Sequence, residues 1–421
     1  MISWRRRISF VNARVVTDEG VAGSIRFGSR ILDVGAPPKR GDAVVDLQGA
    51  IVLPGLVNAH DHLELNHYGR IADRARYANV SEWIAEMRGR LAHDRAIRAA
   101  QAHPLSARLF IGLLKNLLAG VTTVAHHNPL YRELRARRPI RVVRRYGWAH
   151  SFLLAAQPAG ARGEPGGDVA RRFRATPANA PFIVHLAEGV DDDARGELAR
   201  FERLGCLAPN AVLVHGVGID RDGWRRVAQS GAGAVWCPAS NQFLFGRPAA
   251  ARTGLGATEA ASRLAIGTDS RLTGARDLLD ELRDAASLVA MPARTLLRMV
   301  TAVPADVLRI RDIGRVGRGA CADLLVIPAR PANPASPGNP GNPGNDDEAG
   351  AALLRTSRND ILLTVVDGRP VVGSPAFESA FQVARVQTKR VLIDGTLRLA
   401  DARVADAIAR CPIREPGVQC A

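Results

Sequence analysis

Apolar and polar residues alternate in short runs through residues 8–53, in ISFVNARVV, SIRFGSRILDVG and AVVDLQGAIVLPG, with glycine or proline near each break. A period of two punctuated by turn residues predicts short strands, so this stretch reads as a small β-module. From about Ala59 the pattern lengthens. Residues 80–92 and 105–118 carry apolar positions at helical spacing, and brief β-type runs separate such stretches: VTTVA at 121, PFIVH at 181, AVLVH at 211, GAVWC at 233 and RLAIGTD at 263. Strands alternating with helices predict a parallel sheet covered by helices, and the unit length suits a closed barrel better than an open sheet.

The tail returns to a period of two in ACADLLVIPA, DILLTVVDGRPVVG and TKRVLIDGTLRL, which break at Asp-Gly, a hairpin turn pair. The expected fold is therefore α/β: a (β/α)8 TIM-type barrel over 54–314, with a small β-sandwich domain built by both chain termini, 1–53 and 315–421. The Pro/Gly/Asn tract at 331–347 is expected to be a flexible loop. One strain on the scheme lies between the strand near 140–148 and the strand ending at His185. Fewer than forty residues must supply a helix, the fourth strand and another helix, and they include QPAGARGEPGG, a poor former of either element. One βα unit is expected to be shortened or absent.

At 421 residues and 47% hydrophobic composition, the chain can build such a core. The 57 Lys+Arg outnumber 41 Asp+Glu, for a net charge of +16, which raises the question of a nucleic-acid partner. Only Lys39, Lys115 and Lys389 are lysines, and the arginine runs lack interleaved aromatics, so solvated faces are the reading and no nucleic acid is expected. The five cysteines are an odd number with no close spacing, and no signal-peptide or membrane-length apolar run occurs. The expectation is a cytoplasmic protein with no membrane partner and a small-molecule substrate, homo-oligomerisation being left open.

Candidate chemistry begins at the PGLVNAHDH run, 54–62. Residues two apart on a strand share a face, so His60 and His62 can approach one metal ion. Three further β-type runs end in metal-competent or proton-transfer residues: at His185, with Glu188 three residues on, at His215 and at Asp269. The C-terminal strand ends of a (β/α)8 barrel line one mouth, where these residues converge. Imidazoles with a carboxylate make a borderline N/O site for one divalent ion, zinc first and Fe(II) as the alternative, leaving a position for water.

With these motifs the chain resembles the amidohydrolase superfamily, in particular its cytosine, guanine and S-adenosylhomocysteine deaminase and chlorotriazine hydrolase branch. The resemblance extends from VDLQG at 45 to ADLLV at 322. It implies that His60, His62, His185 and Asp269 are metal ligands, that His215 stands beside the metal-bound water, and that Glu188 is the proton shuttle of an HxxE motif. CPASN at 237–241 matches the family's Cys-Pro-x-Ser-Asn segment. No lysine stands where binuclear members carry a carboxylated one, so a mononuclear site is implied. Catalysis is thereby assigned to Glu188, His215 and Asp269. Substrate contacts are sought at His126 or His127, neighbours of which one faces the substrate, and at Asn241 and Arg271. His150 is read as a satisfied interior histidine, and Trp83 with Met87 as core.

The implied activity is metal-dependent hydrolysis of a carbon–nitrogen bond, foremost deamination of a heteroaromatic amine such as a purine, pyrimidine or pterin. Opening of a cyclic amide, as in imidazolonepropionase, and dechlorination or dealkylamination of a triazine-like ring are alternatives with the same ligands. A catalytically inactive barrel that only binds a ligand is the alternative from another class.

Overall fold

The computed structural model describes residues 7–136, 138–152, 167–246, 262–329 and 346–420. Eight parallel strands form the barrel: Leu56–Asp61, Val121–His126, Arg141–Val142, Gly147–Ser151, Phe182–Leu186, Ala211–His215, Gly233–Trp236 and Leu264–Ile266. The first three pair with one another, the last five likewise, and a bridge between Asp61 and Asp269 joins the first strand to the segment after the eighth. Val57, Ala59, Ala125, Ile183, Val212, Val214, Val235 and Ala265 fill the interior, small and β-branched side chains that suit a narrow barrel.

The fourth strand is present. What is absent is the helix before it, because only residues 143–146 connect the third strand to the fourth. The apolar run near 140–148, expected as a single strand, is thus two strands with a short break. The QPAGARGEPGG stretch lies almost wholly outside the described residues. So does most of the 331–347 tract, whose last two residues open the helix Asp346–Arg355.

Outside the barrel a nine-stranded sheet combines strands from both chain ends. Its junction is the antiparallel pair Ile51–Pro54 and Leu324–Ile327, in register from Ile51↔Ile327 to Pro54↔Leu324. A four-stranded sheet, in the order Ile31–Val34, Ile25–Phe27, Ile8–Val11, Ala43–Asp46, packs against it through Phe10, Phe27, Val52, Leu324 and Phe381. No helix among the described residues is long and apolar enough to cross a membrane.

Candidate active site

The first barrel strand does not alternate strictly. Asn58 lies opposite Val124 and Asp61 opposite His126, so three steps on the first strand match two on the second. This bulge places Asn58 and Asp61 together, where the Asn58 amide lies 3.2 Å from Asp61 Oδ2, while His60 and His62 turn into the barrel mouth. Bulges re-aim side chains in this way beside active sites. His185 ends the fifth strand between them, its Nε2 3.2 Å from His60 Nε2 and 3.3 Å from His62 Nε2. Asp269 Oδ1 lies 3.8 Å from His60 Nε2 and 3.6 Å from His62 Nε2. Its other oxygen accepts from Ser240 Oγ at 2.8 Å and Thr273 Oγ1 at 2.9 Å, which fixes the carboxylate plane.

Backbone strain accompanies this convergence. His215 and Asp269 adopt φ of 73° and 52°, left-handed values uncommon for non-glycine residues. Such conformations persist where the surroundings over-determine them, and they cluster at functional sites.

Three imidazole nitrogens facing one another cannot all be satisfied by hydrogen bonds among themselves, and His60 Nδ1 and His185 Nδ1 have no hydrogen-bond partner among the described residues. Burial lowers the pKa of both rings, that of His185 well below its ordinary range, which favours neutral imidazoles with lone pairs free. Burial alone would raise the Asp269 carboxyl, but hydrogen bonding to His60 and the electrostatic influence of the surrounding histidines outweigh it and lower it. Three imidazole nitrogens and one carboxylate oxygen fit a divalent cation of borderline softness. His127 also brings a ligand atom within 4.8 Å of those of His60, His62 and His185. Its Nε2 lies 2.9 Å from the Ala149 carbonyl.

Beside this cluster, His215 Nε2 lies 3.4 Å from Glu188 Oε1, and the Asn241 amide lies 3.0 Å from His215 Nδ1. Burial, reinforced by the negative charges of Asp269 and Glu197, pushes the Glu188 carboxyl well above its usual range and so favours its protonated form. Burial also takes His215 down to about 3, leaving it neutral. One environment therefore pushes two carboxyls in opposite directions, Asp269 down and Glu188 up, the separation that acid–base work requires.

A cavity of about 560 Å³ opens over these groups, with His62, His185, Glu188, His215 and Asp269 at its floor. Three expectations are corrected here. Asn241 does not line the cavity; it is fully buried and holds His215. His126 packs away from the cavity, where it accepts from the Leu63 N–H at 3.4 Å, and His127 groups with His60, His62 and His185; Asn128, the next residue, lines the cavity instead. His150, read as a satisfied interior residue, lines the cavity next to His185, with ring centroids 5.3 Å apart. Trp83 and Met87, read as core, do pack in an apolar cluster with Ile97 and Leu272, and that cluster also forms part of the cavity's apolar wall. The i, i+4 apolar spacing that marks a core-facing helix is identical when the helix covers a cavity.

Arg271 is the fourth correction. Its guanidinium turns from the cavity to Glu415, donating at 2.9 Å and 2.6 Å, and Arg358 donates to the same carboxylate at 2.8 Å. The Glu415 side chain is 0% exposed, so the pairing ties the segment after the eighth strand to the C-terminal part of the chain. Breaking a buried pair by removing one partner strands the other charge and costs about 3–5 kcal/mol. Arg271→Ala is therefore expected to lower the melting temperature strongly while leaving KM unchanged. A KM rise without loss of stability, read from thermal melts and steady-state rates, would return Arg271 to the substrate.

Comparison with known proteins gives concordant results. The profile described as the Amidohydrolase family matches residues 179–371. A 5-methylthioadenosine/S-adenosylhomocysteine deaminase of Halobacterium salinarum is 31% identical over 354 residues, covering 72% of this chain and 78% of that protein. A 5′-deoxyadenosine deaminase of Methanosarcina mazei is 23% identical, covering 85% of this chain and 91% of that protein. Among solved structures, an atrazine chlorohydrolase from Arthrobacter aurescens complexed with zinc superposes with a TM-score of 0.64 at 20% identity, over 90% of this chain and 100% of the other. An adenosine deaminase from Xanthomonas campestris with bound zinc gives 0.60 at 20% identity, over 90% and 96%.

Proposed function

The chain belongs to the amidohydrolase family and is a hydrolase of carbon–nitrogen bonds, and on that premise we propose that it deaminates a heteroaromatic amine, with a 6-aminopurine ring as the leading candidate. The observation that carries the reading is the juxtaposition of Glu188, His215 and Asp269 around one His-rich group at the floor of a cavity, where burial favours the acid form of Glu188 and the neighbouring histidines favour the ionised form of Asp269. We assign His60, His62, His185 and Asp269 as ligands of one divalent ion, zinc ahead of iron(II). When bound, such an ion lowers the pKa of water from 15.7 toward about 7 and so supplies a hydroxide nucleophile at neutral pH.

The protein's own groups do the rest. Glu188 gives its proton to the ring nitrogen next to the amine-bearing carbon, which makes that carbon electrophilic. Asp269, fixed by Ser240 and Thr273, takes the proton that the attacking water gives up, and His215, held by Asn241, keeps the developing oxygen on the attacked face. A proton returned to the exocyclic nitrogen lets ammonia leave, and the ring keeps a carbonyl in its place. The apolar walls, with Trp83, Met87, Leu91 and Ile97, exclude water around a flat ring.

The relatives named as deaminases of 5-methylthioadenosine, S-adenosylhomocysteine and 5′-deoxyadenosine put 5′-modified adenosines at the head of the test panel. The expected outcome is stoichiometric ammonia release from a member of a panel of purine nucleosides, pyrimidines, pterins and amino-triazines, with close to one metal equivalent per chain. Chloride or alkylamine release from a triazine without any ammonia from the purines would overturn the deaminase reading. A cytoplasmic location belongs to the same proposal.

A further inference from the structure

Lys115 takes no part in the chemistry above and does not line the cavity, yet it is 0% exposed. It projects from the helix Leu105–Leu118 onto the outside of the barrel where the first strand meets the segment after the eighth. Gly112, one turn earlier, permits this approach: a Cβ there would lie 2.3 Å from the Leu63 carbonyl oxygen. The Lys115 amine lies 2.7 Å from Asn66 Oδ1, 2.9 Å from Thr268 Oγ1 and 3.1 Å from Asp61 Oδ2, which uses all three donors of an ammonium group.

These contacts bracket the ligands. Asp61 sits between His60 and His62 and also accepts from Asn116 at 2.8 Å and Asn66 at 2.7 Å. Thr268 precedes Asp269, and the backbone N–H groups of Thr268 and Asp269 donate to the His60 carbonyl at 2.9 Å and 3.2 Å. Asn58, on the other side of the bulge, donates to Thr268 Oγ1 at 2.9 Å and Asn116 Oδ1 at 2.8 Å.

We propose that Lys115 is a positioning residue for the metal ligands: by tying Asp61 in the bulge to Thr268 beside Asp269, it fixes the distance between the His60/His62 pair and the Asp269 carboxylate across the closing seam of the barrel. Taking an ammonium from water is expensive, and an apolar side chain of similar volume would fill the same space at less cost. Such a side chain could not hold the bulge. Metal–ligand bonds tolerate errors of about 0.2 Å, so loss of this tie is felt as metal affinity rather than only as stability.

The inference rests on the metal reading of the site and is tested by zinc affinity, measured by competition with a chromophoric chelator, beside thermal melts and the visible spectrum of the cobalt-substituted protein. Lys115→Met is expected to weaken zinc about 10- to 100-fold, the usual loss for a residue that orients ligands, and to alter the cobalt spectrum. Lys115→Met/Asp61→Asn removes both buried charges; it is expected to melt closer to the parent while zinc stays weak. A double variant with parental melting that holds zinc within threefold of the parent overturns the proposal, as does a single variant that loses stability with unchanged zinc affinity. Should neither variant fold, Thr268→Val removes only the hydroxyl end of the tie and is read by the same criteria. A parent protein that binds no zinc or iron would instead bring down the metal site itself, and this inference with it.

Discussion

Glu188→Gln is expected to fold, to retain its metal and to lose turnover by roughly 10⁴-fold or more, at or beyond the upper range for a single general acid–base group. The amide has the shape of the carboxyl and can still meet His215, which lies 3.4 Å from Glu188 Oε1, so neither packing nor the ligands should move. What it lacks is an exchangeable acid proton. The same group must serve the ring nitrogen and then the departing amine, so two proton transfers fail together, and an effect on kcat rather than KM is the signature. Metal analysis and single-turnover rates on the same preparation decide the matter. A variant as fast as the parent would remove Glu188 from the chemistry, and one isolated without metal would make it a ligand.

Much of this architecture was legible because the barrel repeats one signal. Apolar β-type runs ending at His185, His215 and Asp269 announce both a strand and the chemistry at its end, and the helix expected at 105–118 is found at Leu105–Leu118. The portions that were not legible share a physical cause: they depend on contacts between distant residues or on departures from ideal periodicity. Arg271 reads as a substrate contact in the sequence because its partner Glu415 lies 144 positions away. The break at 143–146 is too short to interrupt an apolar run visibly, so the third and fourth strands merged into one. The bulge between Asn58 and Asp61 leaves no compositional mark. Strict alternation would have grouped Asn58 with His60 and His62, whereas the structure turns Asn58 away to join Asp61.

Asp269→Asn should produce the contrasting phenotype, loss of the metal as well as of turnover. Asp269 divides its oxygens, Oδ2 taking hydrogen bonds from Ser240 and Thr273 and Oδ1 facing His60 and His62. An amide cannot reproduce this. With its oxygen toward the two hydroxyls, its NH₂ points donors at the imidazole nitrogens and at any cation they hold; with the amide reversed, the NH₂ competes with hydroxyl donors that are already engaged. Either orientation also removes the one negative charge that compensates a dication in a buried setting. The drop in zinc affinity should therefore exceed the ~10- to 100-fold typical of residues that only orient ligands, and added zinc should restore little activity, because the group that accepts the water proton is gone as well. Equilibrium dialysis against zinc, followed by rate measurements at saturating metal, separates the two losses. Parental zinc affinity in Asp269→Asn would exclude the carboxylate from the ligand set and leave His127, whose ligand atom lies within 4.8 Å of those of His60, His62 and His185, as the fourth donor.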